Sequence, residues 1–265
     1  YAEELRRSAS FGSYNLIGTL RNLKHGYGLL KHDEDTFLLV HLRPGPVLDR
    51  GHVYPEYHYS VVPCDLLPLL AGNLALLVNT LSAEEAPAAN TPNSPSLKKV
   101  MVDNLQPLSP VAEADYLKNL YGVFQDDAQG IGHILAALLE GQSVAVVDAP
   151  TEPRWRFDFC QALALTLPPA IRHHLTFATE VFESVACPAL LKLMYADPYS
   201  RTGEDEIQFS CRTRSFRGEA PSHPYADFIA TNWHRGSIWL SEATHRWADS
   251  FVRIAEISED IPDAL

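Results

Sequence analysis

The residue with the clearest chemical meaning is Asp148, which follows the short apolar run Val144–Val147. An apolar strand that ends in an aspartate commonly places a carboxylate at the ligand edge of an open sheet, where it can hold Mg²⁺. That carboxylate normally works beside a glycine-rich loop ending in Lys-Ser or Lys-Thr. The sequence contains neither such a loop nor a GxGxxG motif. We therefore expect Asp148 to cap a turn rather than to hold a nucleotide-linked metal ion.

Three histidines, His41, His52 and His58, form a second candidate group, with Glu56 and Asp49 nearby. An even separation places His52 and His58 on one face of a strand, and three histidines with a carboxylate would satisfy zinc. The chain has 11 histidines but no HExxH motif and no His/Cys grouping. We expect half-buried sheet histidines, and we assign neither a metal nor a cofactor to the chain.

Two arginines could bind an anion. Arg212 and Arg214 alternate on a predicted strand, so they would share one face and could contact a phosphate or carboxylate. The alternative is a solvated strand edge whose positive charge balances the acidic residues 204–206. Both interpretations stay open at this point.

A tyrosine cluster is the candidate for a partner surface. Tyr54, Tyr57 and Tyr59 lie in one predicted strand, in which Tyr57 and Tyr59 share a face. Tyrosine combines an apolar ring with a polar tip and therefore suits a protein interface, although it equally suits a sheet packed on a helix. Together with Arg43, these tyrosines are the interaction candidates.

Nucleophilic chemistry has little support. The four cysteines are scattered without a CxxC pair, which favours buried, reduced thiols of a cytosolic protein: Cys64, Cys160, Cys187 and Cys211. The adjacent His173 and His174 would need a nucleophile within reach to act as a base. We assign no catalytic residue. The alternative is an unrecognised enzyme whose acid is Asp148 or Glu180 and whose electrophile is Arg172 or Arg212.

Composition limits the class of partner. The chain has 265 residues, 46% hydrophobic and 20% charged, with a net charge of −12. Residues 113–265 carry 12 Lys and Arg against 22 Asp and Glu, a net charge of −10. Such a field opposes binding to nucleic acid and to anionic membranes. The apolar runs are far shorter than a membrane span. Because the sequence starts at Tyr1 without a methionine, we expect a fragment or a missing disordered N-terminus.

The predicted elements divide the chain into three parts. Residues 1–82 form a β-rich α+β domain, residues 83–112 a linker and crossover rich in Ala, Pro, Asn and Ser, and residues 113–265 an α/β domain. The last part is predicted to be a Rossmann-like layer sandwich without a phosphate loop. Within these parts the periodicity predicts a helix over 64–81 broken near Pro68 or Gly72, and helices over 113–124, 128–140 and 241–257. It predicts strands over 14–20, 143–148, 175–179 and 207–213, and the two prolines predict a turn at Pro221–Pro224.

Four short segments together resemble the bacterial GTPase-associated protein 1 family. They are HGYGLL at 25–30, RPGPV at 43–47, LLEGQSVAVV at 138–147 and LPPAIRHHLTFAT at 167–179. The resemblance covers roughly residues 14–80 and 130–180. It implies an adaptor or regulatory subunit of a bacterial conflict (defence) system, and it carries over no catalytic residue.

We therefore expect a non-catalytic cytoplasmic adaptor that acts through protein–protein interaction in antiviral defence. Its partner would be a GTPase, an AAA-type ATPase or an effector, with no nucleic acid and no membrane bound. The alternatives are the unrecognised enzyme and a small-anion-sensing module on the α/β domain.

Overall fold

One mixed eight-stranded sheet organises the computed structural model, which describes residues 24–47, 53–83, 105–195, 201–204 and 206–246. The strands follow the order β3-β2-β1-β5-β6-β4-β7-β8 across the sheet. Their bounds are β1 Gly26–Lys31, β2 Thr36–Val47, β3 Val53–Pro63, β4 Val144–Val147, β5 Phe177–Val181, β6 Leu191–Met194, β7 Ile207–Ser210 and β8 Ser215–Arg217.

The sheet has an antiparallel half and a parallel half. Strands β1, β2 and β3 form an antiparallel meander, whereas β5, β6, β4 and β7 run parallel, with β8 antiparallel at the far edge. The halves meet where β1 pairs antiparallel with β5, at Gly28↔Ala178 and Leu29↔Phe177. The predicted division at residues 83–112 stays a prediction, but one hydrogen-bonded sheet crosses it.

All helices of the described residues pack on one face of the sheet. Each contributes side chains to the large core cluster, and none contributes to the smaller clusters of the other face. The helices are α1 Leu66–Leu70, α2 Leu74–Ala83, α3 Pro110–Phe124, α4 Ala128–Leu139, α5 Pro153–Thr166, α6 Pro224–Asn232 and α7, which covers 237–246. The mixed helix and sheet architecture that the sequence predicts is thus present.

Strand alternation explains how the faces differ. In β4, Val144 and Val146 point into the helix-covered core while Ala145 joins the cluster on the opposite face. All three side chains are completely buried. A short apolar run with no polar alternation is what a strand buried on both faces requires.

Three local predictions differ from the structure. The predicted strand 207–213 ends at Ser210, and residues 211–214 form a turn into β8, a strand that the sequence does not indicate. Helix α6 begins where the sequence predicts only a turn at Pro221–Pro224, because proline is favoured in the first helical turn and Pro224 starts the helix. The expected break in helix 64–81 is present, at Ala71, whose φ of 46° is left-handed and ends α1.

Two further expectations can be compared with the described residues. Every helix there is too short or too polar to cross a bilayer. All four cysteines are free, with Cys160 and Cys187 buried and Cys64 and Cys211 half-buried. The predicted strand over residues 14–20 lies outside the described residues.

Candidate functional site

The carboxyl ends of the parallel strands gather the charged side chains of most interest. Asp148 directly follows β4, Glu180 lies in β5, and Ser210 ends β7. In open sheets of this kind ligands bind beyond the carboxyl ends of the strands. Asp148 and Glu180 also have left-handed backbones, with φ of 55° and 62°. Such a conformation is uncommon for residues other than glycine and clusters at functional sites.

Arg156 is the buried anchor of this edge. It lies in the first turns of α5 and has no solvent exposure. Its Nε donates to the Pro150 carbonyl at 2.8 Å, and its Nη2 donates to the Met194 carbonyl at 2.9 Å. Its Nη1 lies 3.2 Å from Oε1 of Glu180. The guanidinium therefore joins the turn after β4, the end of β6 and the acid of β5 at one point.

Glu180 is a buried carboxyl whose charge is costly. Burial raises its pKa to about 7, although the nearby charges of Arg156 and Lys24 act in the opposite direction. Lys24 also donates to Oγ1 of Thr151 at 3.0 Å, which holds it beside the β4–α5 turn. Gly26 leaves the room that the acid needs, since a Cβ at Gly26 would lie 3.0 Å from Cγ of Glu180. Glu180 is thus a group that changes protonation near neutral pH.

Asp148 has structural partners. Its Oδ2 accepts a hydrogen bond of 2.9 Å from Ser210 Oγ, and its Oδ1 lies 3.6 Å from Nη2 of the exposed Arg212. These contacts tie the end of β4 to the end of β7. Such a role agrees with the expectation of a turn residue. Asp148 thus contacts Ser210 and Arg212, whereas Glu180 pairs with Arg156.

The two predicted anion-binding arginines do not share a strand face, because both lie in the turn between β7 and β8. Arg212 reaches Asp148, whereas Arg214 Nη1 donates to Oε1 of Gln125 at 2.7 Å. Arg214 has a φ of 52°. The assumed strand geometry was wrong, and the expectation that these residues bind an anion stays untested.

The histidines form a row across the antiparallel strands. Nδ1 of His25 lies 3.1 Å from Nε2 of His41, and the His41 ring stacks on Tyr27 with ring centroids 4.7 Å apart. On β3, His58 hydrogen-bonds to Arg43 Nη2. His52 and Asp49 fall outside the described residues. Within the described ranges, no three His, Cys, Asp or Glu side chains are grouped so that they could hold a metal ion.

The tyrosines of β3 share a face, as the spacing predicts. The rings of Tyr57 and Tyr59 stack with centroids 6.0 Å apart and planes 9° apart. Both are half-buried against the smaller cores, on the face where the described residues form no helix. Val61, two positions further along, is 39% exposed. Tyr54 belongs to β3, but its side chain lies outside the described part of the chain.

Three of the four cysteine thiols are held in their protonated form. Burial raises the pKa of Cys160 far above its usual range, and it raises the pKa values of Cys187 and Cys211 to about 11 and about 12. A nucleophilic cysteine needs a lowered pKa. These three thiols are therefore poorly suited to nucleophilic attack.

A second buried arginine, Arg172, was missed as a structural centre. Its guanidinium donates to the carbonyls of Leu167, Ala71 and Leu165 at 2.9–3.0 Å, and its Nη1 donates to Glu113 Oε1 at 3.0 Å. Neither member of this ion pair has solvent exposure. In the sequence, the only sign of this structural role is an arginine within a largely apolar segment. Its complete burial argues against the alternative role as an electrophile at a substrate.

No family model, no curated protein and no solved structure matches the chain. The resemblance to the GTPase-associated protein 1 family therefore stays an expectation from the four short segments.

Proposed function

We propose that this chain is a non-catalytic adaptor or regulatory subunit of a bacterial NTPase-linked conflict system. It would act in the cytoplasm by binding a protein partner, a GTPase, an AAA-type ATPase or an effector. We further propose that β5, β6, β4 and β7 with their helices form a Rossmann-like layer that serves as a scaffold rather than as a nucleotide site.

The observation that carries this proposal is the chemistry of the turn between β4 and α5. A phosphate loop wraps phosphate with backbone N–H groups from a glycine-rich segment and the start of the next helix. Here the segment 148–153 reads DAPTEP, without glycine. Pro150 and Pro153 lack the N–H that would donate. Glu152 precedes α5 as its N-cap and adds a negative charge there. This turn disfavours phosphate.

The β2–β3 hairpin supplies the proposed partner surface. β3 occupies the last position of the sheet order, so one of its edges has no neighbouring strand among the described residues. The stacked Tyr57 and Tyr59 and the exposed Val61 follow one another on a single face of this strand. Aromatic side chains that are half-exposed on a rigid strand can anchor a protein interface. Arg43 lies opposite Glu56 and bonds His58, so its side chain is on the other face of the hairpin from the two tyrosines.

The first test is nucleotide binding. Isothermal titration calorimetry with Mg-ATP and Mg-GTP should show no binding in the micromolar range, because the β4–α5 turn offers no phosphate cradle. The matched variant Asp148→Ala should behave like the wild type. Micromolar affinity for either nucleotide that disappears in Asp148→Ala would overturn the proposal, since Asp148 would then be a metal-linked ligand.

The second test is partner binding by the proposed surface. Against a purified GTPase or AAA-type ATPase partner, Tyr59→Ala should weaken the complex by about 2 kcal/mol, or about 30-fold, if the ring is an interface anchor. The control is Tyr116→Ala, a half-buried tyrosine of α3 on the helix-covered side. Equal losses in both variants, measured by calorimetry with thermal unfolding checked in parallel, would argue against this surface.

A further inference from the structure

A cleft of about 230 Å³ opens where the antiparallel and parallel halves of the sheet meet. It lies between the start of β1, α2 and the start of α5. Tyr27, Val78 and Phe157 contribute its apolar wall, and His25, Asn79 and Arg154 contribute polar groups. Sites of drug-sized ligands occupy roughly 300–1,000 Å³. The cleft therefore suits a smaller molecule.

The apolar wall is held in place by the fold. Phe157 is 3% exposed, and its ring meets the edge of Tyr27 with centroids 5.5 Å apart at 66°. The backbone N–H of Tyr27 donates to Oγ1 of Thr179 at 2.8 Å, which fixes this residue to β5. A flat apolar group could pack on this wall with little rearrangement of the protein.

The polar groups of the cleft favour negative charge. None of its lining residues is a carboxylate. Arg154 donates through Nε to Asp158 at 3.0 Å and through Nη2 to the Tyr116 hydroxyl at 3.4 Å. These bonds use two of its five N–H donors. Lys24, next to His25 in the chain but not a lining residue, bonds Thr151 Oγ1 with one of its three donors.

Three acids lie nearby, and two of them are already engaged. Asp158 pairs with Arg154 through Nε and is only 17% exposed, and Glu180 pairs with Arg156 in the interior. Glu152 is exposed at the start of α5. Burial raises the pKa of Glu180 to about 7, so part of its opposing charge is absent at neutral pH. Among the residues that line the cleft, Arg154 therefore supplies a cation that no lining carboxylate opposes.

We propose that this cleft binds a small organic anion with a flat apolar body, of the class of an aryl carboxylate or an aryl phosphate monoester. The ring packs on Tyr27 and Phe157, and the anionic group faces Arg154. This site is separate from the partner surface on β3, and it lies away from the arginines of the β7–β8 turn. Its occupation would make the scaffold responsive to a metabolite.

Calorimetry on the full chain with four probes tests this site. Benzoate and phenyl phosphate carry both ring and charge, inorganic phosphate lacks the ring, and benzyl alcohol lacks the charge. The key variant is Asn79→Asp, which adds a negative charge to the cleft almost without changing shape. The matched control is Gln142→Glu, the same kind of change at an exposed position in the loop before β4. Thermal unfolding of both variants verifies that they fold.

We expect saturable binding of benzoate or phenyl phosphate, and the tighter of the two identifies the anionic group. Asn79→Asp should weaken binding about fivefold or more through like-charge repulsion, and Gln142→Glu should leave it unchanged within about twofold. Three results would overturn the site: no saturation by either aryl anion up to about 10 mM, equal binding of benzyl alcohol, or an unchanged affinity in Asn79→Asp. Inorganic phosphate binding as tightly as phenyl phosphate would overturn the apolar part of the assignment.

Discussion

Replacing Arg172 by methionine should lower the free energy of unfolding by about 3–5 kcal/mol, because a buried carboxyl then loses its arginine partner. That carboxyl is Glu113, which is completely buried and, among the described side chains, keeps only its contacts with Ser241 Oγ and His245 Nε2. Three backbone carbonyls would also lose the donors that Arg172 supplies. Urea denaturation of the wild type and the variant at constant pH measures the difference.

The geometry of the guanidinium matters as well as its charge. Arg172 lies between the turn after α1, the end of α5 and α7, where Nη2 donates to Thr244 Oγ1 at 3.1 Å. Lysine keeps the charge but lacks the planar fork, so Arg172→Lys should still lose a measurable part of this stability. It also serves as the second variant if Arg172→Met does not fold.

The matched control for this prediction is Arg246→Met. Arg246 pairs with Glu242 on the surface of α7 at 3.5 Å, and its side chain is 79% exposed. Exposed ion pairs contribute about 0–1 kcal/mol. If Arg172→Met costs no more than Arg246→Met, the buried network does not stabilise the fold in the way we infer.

Replacing Glu180 by glutamine should change how stability depends on pH. The pKa of Glu180 is about 7 in the folded protein, against an ordinary value of 4.5. As the pH rises from about 4.5 to about 7, the unfolded carboxyl ionises while the folded one keeps its proton. The unfolded state then binds fewer protons than the folded state, and stability falls over this window. Below and above it, Glu180 contributes no pH dependence.

The size of this effect follows from the distance between the two pKa values. At about 1.4 kcal/mol per pKa unit, the loss between pH 4.5 and 7 amounts to about 3 kcal/mol. Glutamine cannot ionise, so the stability of Glu180→Gln should not fall over this window. Relative to the wild type, the variant should therefore become more stable by that amount as the pH rises from about 4.5 to about 7. Urea denaturation at several pH values measures both curves.

The control for the pH experiment is Glu219→Gln, an exposed acid in the loop after β8. It should follow the wild-type curve. A Glu180→Gln curve parallel to the wild type across the window would show that the ion pair with Arg156 outweighs burial and keeps Glu180 charged. The carboxyl ends of the parallel strands would then hold a permanent ion pair rather than a group that titrates near neutral pH.

Local patterns in the sequence predicted the regular elements of the described chain well. The run Val144–Val147, bounded by a helix that ends near Gly141 and by Asp148, predicted β4, which the structure forms as a buried central strand. The spacing of apolar residues predicted α3 and α4 within a few residues of their ends. These features depend on contacts between near neighbours, which periodicity reflects directly.

Short or proline-marked elements were harder to predict. β8 has three residues and owes its existence to pairing with β7, so no pattern of its own indicates it. The same pairing ends β7 at Ser210 and turns the chain at Arg212 and Arg214. A strand that is stabilised by its neighbour can be recognised only when the neighbour is known.

The candidate site shows the same limit on a larger scale. The sequence singled out Asp148 and named Glu180 and Arg172 as alternatives, but it did not indicate Arg156 or the cleft beside Tyr27. Arg156 reaches Glu180 across 24 positions of the chain, and Tyr27 bonds Thr179 across 152. No local spacing encodes such pairs.

By itself the sequence determined the acidic charge, the helices and strands with strong periodicity, and the absence of a glycine-rich phosphate loop, because each is a property of adjacent residues. Only the tertiary structure decided that β1 joins β5 in one continuous sheet, that the described helices cover one face, and that Arg156 and Arg172 are buried. These outcomes depend on which distant segments meet in the core, where desolvation makes each charge pair with a particular partner.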